Sequence, residues 1–158
     1  MAKPTAEQPL IARNRRAWHE YHVLEEYEAG LELHGTEVRS LRQGGAQIAE
    51  AYIRIERGQA WLLGAHIQPY QFGNRQNHEP SRPRRLLLHR REIGHLAGIV
   101  KQPGLTLIPL DLHLSSNRVK VRLGVCRGKR EYDKRQALME KDAHREMQRG
   151  LARAWKGI

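Results

Sequence analysis

The sequence has little of what secreted and membrane proteins need. It contains one cysteine, Cys126, among 158 residues, so no disulfide can form within the chain. Its amino-terminal residues lack the apolar core of a secretory signal. No apolar run approaches the roughly 18 residues that span a membrane. We therefore predict a cytoplasmic protein that has no membrane partner.

Signals for catalysis and metal binding are also sparse. The nine histidines are scattered along the chain. His19 and His22 lie three apart on a predicted strand and would face opposite sides, which is poor geometry for a shared metal. With one cysteine there is no zinc knuckle, and neither a glycine-rich phosphate loop nor a nucleophile elbow is present. We expect no enzyme, no cofactor, no metal site and no catalytic residue.

Positive charge is abundant. Lysine and arginine number 28 against 17 acids, which gives a net charge of +11 and a pI of about 10.4. Residues 128–158 carry nine cations and five acids, so +4 lies there and +7 remains on residues 1–127. A field of this sign attracts nucleic acid or another anionic surface.

Composition divides the chain into three parts. Residues 1–13 contain Pro4 and Pro9 and are predicted to form a mobile arm. Residues 14–127 are long enough for one compact domain. Residues 128–158 are basic and contain few apolar side chains, so they bury too little surface to order alone. We expect this tail to be disordered in the free protein and to become ordered on an anionic partner.

Alternation of apolar and polar residues predicts an antiparallel sheet. The predicted strands are 18–24, 31–33, 52–55, 60–67, 110–114 and 119–125. Two short helices are predicted, residues 37–43 with Thr36 as N-cap and a second around residues 93–100. Short strands with peripheral helices fit a mainly β, OB-fold-like barrel, and this pattern alone fits another small α+β sheet equally well.

The clearest hairpin joins residues 110–114 to 119–125. Leucines alternate with Asp111 and His113 in the first strand, and valines alternate with Lys120 and Arg122 in the second. One face should enter the core, and the other should present Lys120 and Arg122 to solvent or to a ligand.

The sharpest local feature is RPRRLLLHRRE, residues 82–92. It contains five arginines, and no acid lies between residues 82 and 91. The arginines bracket three leucines, which should anchor the segment against the core. Arginine forks bind phosphate oxygens in pairs, and His89 can stack on a base or bond to a ribose. A solvated charged edge is the alternative, and the single sign of the run favours RNA.

Several blocks together resemble the small protein B (SmpB) family, which binds transfer-messenger RNA (tmRNA). They are NRRAWHEYHVLEEYEAG (14–30), LHGTEVRSLR (33–42), GNRQNHEPSRPRRLLLHRREI (73–93) and GKREYDKR (128–135). The resemblance covers nearly the whole chain in order. It implies an OB-type barrel and an adaptor that carries the tRNA-like domain of tmRNA to stalled ribosomes for trans-translation.

The resemblance also implies partners. They are tmRNA and the ribosome, where the tail would occupy the decoding centre on 16S rRNA and the empty mRNA channel and become helical. Elongation factor Tu and alanyl-tRNA synthetase would be reached through aminoacylated tmRNA.

Site residues follow from the matching positions. For tmRNA they are Glu28, Leu87, His89 and Lys120, with Arg84 and Arg85 as phosphate contacts and Asn14 and Arg16 beside them. For the ribosome they are Lys129, Arg130, Tyr132, Asp133, Lys134 and Arg135. We interpret Glu37 and Arg39 as structural, with Glu37 in the first turn of a helix.

Two other functions fit parts of the sequence. A structural ribosomal protein or ribosome-assembly factor would explain the basic tail. An RNA-processing hydrolase would need His89 and Glu92 as catalytic groups. The RNA-bound adaptor is preferred because it accounts for all of the matching blocks.

Overall fold

The computed structural model describes residues 9–73 and 76–156. The strands in these residues are β1 (Leu10–Arg13), β2 (Tyr21–Leu31), β3 (Ala46–Gln47), β4 (Tyr52–Glu56), β5 (Gln59–Leu63), β6 (His66–Ile67), β7 (Arg84–Leu87), β8 (Leu105–Ser115) and β9 (Arg118–Gly128). The helices are α1 (Arg15–Glu20), α2 (Gly35–Arg42), α3 (Arg90–Ile99) and α4 (Glu131–Lys156). Across the described ranges, none of these helices has both the length and the apolar character that a membrane crossing requires. Two compact units divide the chain, Met1–Gly128 and Lys129–Ile158.

An antiparallel sheet in the first unit closes on itself. Its strands follow the order β1-β8-β4-β5-β7-β2-β9, and β9 pairs again with β8. Because β8 pairs with β4 and β1 along one edge and with β9 along the other, the sheet becomes a barrel. Closure leaves few unpaired backbone groups exposed. The predicted OB-fold-like barrel is confirmed, and β3 and β6 form a separate small ribbon.

Aliphatic side chains fill the barrel. Strand β5 shows the pattern clearly, because Ala60 and Leu62 are 0% and 1% exposed while the residues between and beside them are only partly buried. Leucines from β8, valines from β9 and Leu96 of α3 join the same cluster. Full burial of one such large side chain stabilises the fold by about 1.5–3 kcal/mol.

The β8–β9 hairpin was correctly located. The strands run further than predicted and leave a two-residue loop, Ser116–Asn117. These two residues have φ values of 51° and 63°. Positive φ at both central positions matches the twist of the flanking strands, and asparagine tolerates this conformation well.

The amino-terminal part of the unit differs from the sequence prediction. Leu10–Arg13, expected to belong to a mobile arm, form β1 and pair with β8. The rest of that predicted arm, residues 1–8, lies outside the described residues.

The predicted strand 18–24 is wrong at its start. The Asn14 side chain accepts a hydrogen bond from the Ala17 N–H and caps helix α1. His19 therefore lies on a helix, and the strand begins only at Tyr21. This strand, β2, continues to Leu31, so the separate strand predicted at residues 31–33 does not form.

Both short helices exist, with earlier starts than predicted. Helix α2 has His34 rather than Thr36 as its N-cap, because the Glu37 carboxylate accepts the His34 N–H at 2.8 Å. Helix α3 repeats this arrangement with His89 as N-cap and Glu92 accepting at 3.2 Å.

The segment predicted as a long loop, residues 72–85, ends in a strand. Arg84 and Arg85 begin β7, which lies between β5 and β2 in the barrel. Residues 74 and 75 of this loop lie outside the described part of the chain. Insertion of β7 beside β2 brings Leu87 opposite Gly30.

The second unit is the helix α4. The structure has a helix here, whereas we expected disorder in the free protein. No proline interrupts residues 128–158, and a helix of 26 residues is long enough for propagation to offset its costly nucleation. Residues 135–154 are all exposed, so the helix in this range depends on its own backbone bonds and on local pairs such as His144–Gln148 at 3.0 Å.

Candidate nucleic-acid interface

The candidate interface lies on the barrel exterior where β2, β9 and β8 run side by side. Two rows of opposed residues cross these strands, and we call them together the Glu28 face. The rows are Glu28–Arg122–Asp111 and Gly30–Lys120–His113. Directly opposed residues of antiparallel strands point to the same side of the sheet. The face therefore combines two acids, two cations and a histidine.

Ion pairs connect the outer strands of this face. His113 Nδ1 lies 2.8 Å from Asp111 Oδ1, and His113 Nε2 lies 3.3 Å from Glu28 Oε1. The second Asp111 oxygen lies 3.4 Å from Arg122 Nε. Asp111 and His113 are only 5% and 1% exposed. They alternate along β8 with the buried leucines Leu110 and Leu112, and they are buried as well.

The titration of His113 reflects these contacts. The hydrogen bond to Asp111 raises the pKa of His113 above its ordinary value, against burial, which lowers it. The bond to Glu28 and the two negative charges raise this pKa further. The cluster therefore favours the charged imidazolium.

Leu87 and Lys120 meet above Gly30. A methyl group placed on Gly30 would lie 3.1 Å from Leu87 Cβ and 3.6 Å from Lys120 Nζ. The absence of a side chain at Gly30 thus lets both residues approach the strand. Leu87 is 50% exposed, so it is the most open of the three leucines that we expected to anchor this segment against the core. The structure thus places Leu87 and Lys120 side by side, with Glu28 two residues along β2 on the same face.

His89 and Arg85 lie close to Leu87 in the chain. His89 is exposed at the N-cap of α3. Arg85 is 40% exposed and its Nε lies 2.7 Å from Glu32 Oε2. Arg85, Leu87 and Arg90 line one groove with Gln59. Both predicted contacts are accessible to a ligand.

Arg84 is not an RNA contact. It is 0% exposed and its guanidinium bonds to Glu37, to the Ala65 carbonyl at 2.9 Å and to the Pro80 carbonyl at 2.9 Å. Arg82 bonds to the other oxygen of the same carboxylate. Burial would raise the pKa of Glu37, but hydrogen bonds from Arg82, the His34 N–H and Arg84 outweigh it and lower this pKa. Glu37 is structural, as interpreted from the sequence.

Asn14 is also structural rather than an RNA contact. It is 1% exposed, and its amide donates to the carbonyls of Ile48 at 3.2 Å and Pro109 at 2.9 Å. The Asn14 side-chain amide therefore uses its two donors on Ile48 and Pro109 and its oxygen on the Ala17 N–H, all inside the protein. Arg16 is exposed on α1 and lies 3.1 Å from Glu20 and 3.7 Å from Glu50.

The predicted ribosome contacts lie at the start of α4. Lys129 and Arg130 precede the helix, and Arg135 is exposed within it. Tyr132, Asp133 and Lys134 lie in the first turn, and their side chains fall outside the described part of the structure. Four cations recur every fourth residue along the rest of the helix, namely Lys141, Arg145, Arg149 and Arg153.

Sequence reasoning missed that Asp111 and His113 belong to the site. The available signal was a carboxylate and an imidazole at alternating positions of a strand, which puts both on one face. Their partner Glu28 lies 85 residues from His113 in the chain, so no local pattern could reveal the cluster. Within residues 9–73 and 76–156, no group of three or more acid, histidine or cysteine side chains is arranged to hold a metal ion.

A basic OB-like barrel with an exposed leucine, a lysine and a carboxylate on one outer face has the features typical of an RNA-binding protein. Comparison with known proteins identifies its family. The family model described as SmpB protein matches residues 11–153. The chain belongs to this family, whose members are RNA-binding adaptors and not enzymes.

Individual relatives agree with this assignment. The SsrA-binding protein of Carboxydothermus hydrogenoformans is 51% identical over 142 residues, covering 90% of this chain and 95% of the relative. The SsrA-binding protein of Chlamydia muridarum is 49% identical over 146 residues, covering 92% and 97%. A solved chain described as "tmRNA-SmpB: a journey to the center of the bacterial ribosome" superimposes with a TM-score of 0.66 at 44% identity, covering 82% of this chain and 94% of that one.

Proposed function

We propose that this protein binds the tRNA-like domain of tmRNA through the Glu28 face and delivers it to stalled ribosomes for trans-translation. The observation that carries the proposal is that Leu87 and Lys120 meet above Gly30, while Glu28 lies two residues away on the same face of β2. The names of the relatives and the solved tmRNA-SmpB structure support the choice of RNA.

Each side chain of this face suits a different part of an RNA. The Lys120 ammonium pairs with a phosphate oxygen, and half-exposed Leu87 packs against a sugar or an unstacked base. The Glu28 carboxylate only accepts hydrogen bonds, so it bonds to a base amine or a 2′-hydroxyl. His89 and Arg85 extend the same surface along β7 and α3.

The tail serves the ribosome. An exposed helix with cations every fourth residue fits a channel walled by phosphates, namely the empty mRNA path beyond the decoding centre. Near its start, Tyr132 stacks on a base of 16S rRNA while Lys134 and Arg135 pair with phosphates and Asp133 bonds to a donor group. Lys129 and Arg130 add charge at the junction with the barrel.

Other partners follow from the bound RNA. Elongation factor Tu and alanyl-tRNA synthetase are reached through aminoacylated tmRNA, and the work takes place in the cytoplasm, where ribosomes translate. The alternative of a structural ribosomal protein loses its support, because the chain belongs to a family of RNA-bound adaptors. The alternative of a hydrolase also fails, since Glu92 bonds to the His89 N–H as part of a helix cap.

The test is a gel-shift assay with the tRNA-like domain at several salt concentrations. Lys120→Ala and Arg85→Ala should each weaken binding. Each should also reduce the slope of log affinity against log salt concentration by about 0.7–0.9, because each removes one phosphate contact. Lys101→Ala is the matched control, because Lys101 is an exposed cation in the α3–β8 connection. Equal slopes for Lys120→Ala and Lys101→Ala would contradict the proposed face.

A further inference from the structure

Glu28 is held by a histidine that reaches it across an intervening strand. His113 is on β8 and Glu28 is on β2, with β9 between them. The imidazole nevertheless comes within 3.3 Å of the carboxylate, while its other nitrogen is anchored on Asp111 at 2.8 Å. The His113 side chain is 2% exposed and that of Glu28 is 24% exposed. A buried ring thus meets a carboxylate that is open to a ligand on its other side.

The two contacts of the ring decide its charge. Ionised carboxylates only accept hydrogen bonds, so both ring nitrogens must carry a proton to serve Asp111 and Glu28 together. A neutral ring would keep its proton on the nitrogen with the shorter bond, which faces Asp111. Its other nitrogen would then place a lone pair against Glu28 and repel it.

We propose that His113 is a positioning residue, whose imidazolium, fixed by Asp111, holds the Glu28 carboxylate in place for RNA. This role rests on the proposed function, because Glu28 must contact RNA for its placement to matter. It assigns a purpose to Asp111 and His113, which make no predicted contact with RNA themselves. It also makes RNA binding depend on pH.

The surrounding charges act in both directions. Glu28 from β2 and Asp111 from β8 favour the imidazolium, whereas Lys120 and Arg122 from β9 oppose it. Strand β1 places Leu10 opposite His113 and Arg13 opposite Asp111, and β4 pairs with β8 at Leu107.

The balance favours the charged ring, because the Asp111 bond raises the pKa of His113 against the effect of burial. The hold on Glu28 is therefore present below this raised pKa and is lost as pH rises through it.

A double-mutant cycle between His113→Gln and Glu28→Gln tests this role, with the full chain and a transcript of the tRNA-like domain. We expect His113→Gln to weaken binding about three- to tenfold, a coupling typical of residues in contact, and to have no further effect in Glu28→Gln. His95→Gln is the matched control. His95 Nε2 lies 3.6 Å from the carboxylate of Glu25, which is on the same strand as Glu28, but the His95 side chain is 57% exposed.

The pH profile adds a readout that a merely structural role would leave unchanged. The RNA affinity of the wild type should fall from mildly acidic to mildly alkaline pH. Over the same range, the affinity of the wild type divided by that of His113→Gln should fall to one. Taking this ratio cancels every effect of pH that the two proteins share. If His113→Gln does not fold, the His113 ring is titrated by NMR in the wild-type protein, and a neutral ring near pH 7 overturns the role.

The outcomes separate the two levels of the proposal. Additive losses in the cycle, or a constant wild-type to His113→Gln ratio at all pH values, overturn the role of His113 and leave the Glu28 face intact. Wild-type affinity in Glu28→Gln instead overturns the RNA role of Glu28 and, with it, the role of His113.

Discussion

Glu37 shows how one buried acid organises two arginines. Its side chain is 0% exposed and bonds to fully buried Arg84 and partly buried Arg82. The carboxylate also caps α2, so it joins this helix to β7. Removal of one partner from a buried ion pair leaves an uncompensated charge inside the protein.

We predict that Glu37→Gln lowers the free energy of unfolding by about 3–5 kcal/mol at neutral pH. Glu32→Gln is the matched control, since Glu32 pairs with Arg85 on the surface and should cost at most about 1 kcal/mol. Urea unfolding followed by circular dichroism measures both. Similar small losses in the two variants would show that the buried pair adds nothing beyond a surface pair.

The same substitution predicts a pH dependence. The folded-state pKa of Glu37 is lowered, so its stabilising effect is present above its unfolded pKa and is lost as pH falls through the folded value. The difference in unfolding free energy between wild type and Glu37→Gln should therefore shrink on acidification. A difference that stays constant down to strongly acidic pH would contradict this assignment.

Residue burial was the hardest property to predict. Arg84 stands in a run of arginines that favours phosphate binding, yet its partner Glu37 lies 47 residues away. His113 and Glu28 are separated by 85 residues. A single sequence shows which residues carry charge, but contacts across the barrel decide which charges are paired inside and which remain for a ligand. Leu87 is half exposed although it stands in an apolar run, so the run alone does not show which of its leucines is open to a ligand.

At the scale of elements, periodicity predicted well where it was local and unbroken. The β8–β9 hairpin and helix α3 have regular apolar spacing and were located correctly. The start of β2 was misplaced because a single side chain, Asn14, stabilises a short helix ahead of it. The hydrogen bond from the Ala17 N–H to Asn14 stabilises the start of this helix, and it outweighs the context-dependent preference of residues 18–20 for a strand.

Helix α4 offers a test at this scale. Gly150 lies in its interior, where nothing packs against the position. Proline there should cost about 3 kcal/mol of helix relative to alanine, while alanine should stabilise the helix by about 1 kcal/mol relative to glycine. We expect Gly150→Pro to abolish peptide tagging on a non-stop message and to leave gel-shift binding of the tRNA-like domain unchanged.

Gly150→Ala is the control for the proline variant. It should keep tagging and raise the helical signal in circular dichroism. Normal tagging by Gly150→Pro would mean that the ribosome does not require a continuous helix. Loss of RNA binding by the same variant would mean that the tail contributes to the barrel site.

At the scale of the whole molecule, positive charge lies in both units of the chain. The barrel residues carry +7 and the tail +4, and sequence alone established that both are basic. The number and spacing of the predicted strands fitted an OB-like barrel and another small α+β sheet equally well, and the resemblance to a known family favoured the barrel. The closure of the sheet through β8 could not be predicted, because β8 pairs with β1 and β4, which are distant from it in the chain, as well as with its hairpin partner β9.

The two units make a division of labour testable. Strand β9 ends at Gly128, and the core residues of the barrel all precede it, so a chain ending at Gly128 should fold. Lys120, Leu87 and Glu28 remain in the shortened chain, and we predict that it keeps its affinity for the tRNA-like domain within about threefold, or less than 1 kcal/mol. It should nevertheless fail to support tagging on stalled ribosomes, because no segment remains to enter the mRNA channel.

A full-length variant with glutamine at Lys141, Arg145, Arg149 and Arg153 distinguishes charge from chain length in this experiment. Glutamine keeps good helix propensity and removes four positive charges. If the tail acts by pairing with phosphates in the channel, this variant should tag as poorly as the shortened chain while binding the tRNA-like domain normally. If RNA affinity instead falls in both proteins in proportion to the charge removed, the tail belongs to the RNA-binding surface and the proposed division between barrel and tail is wrong.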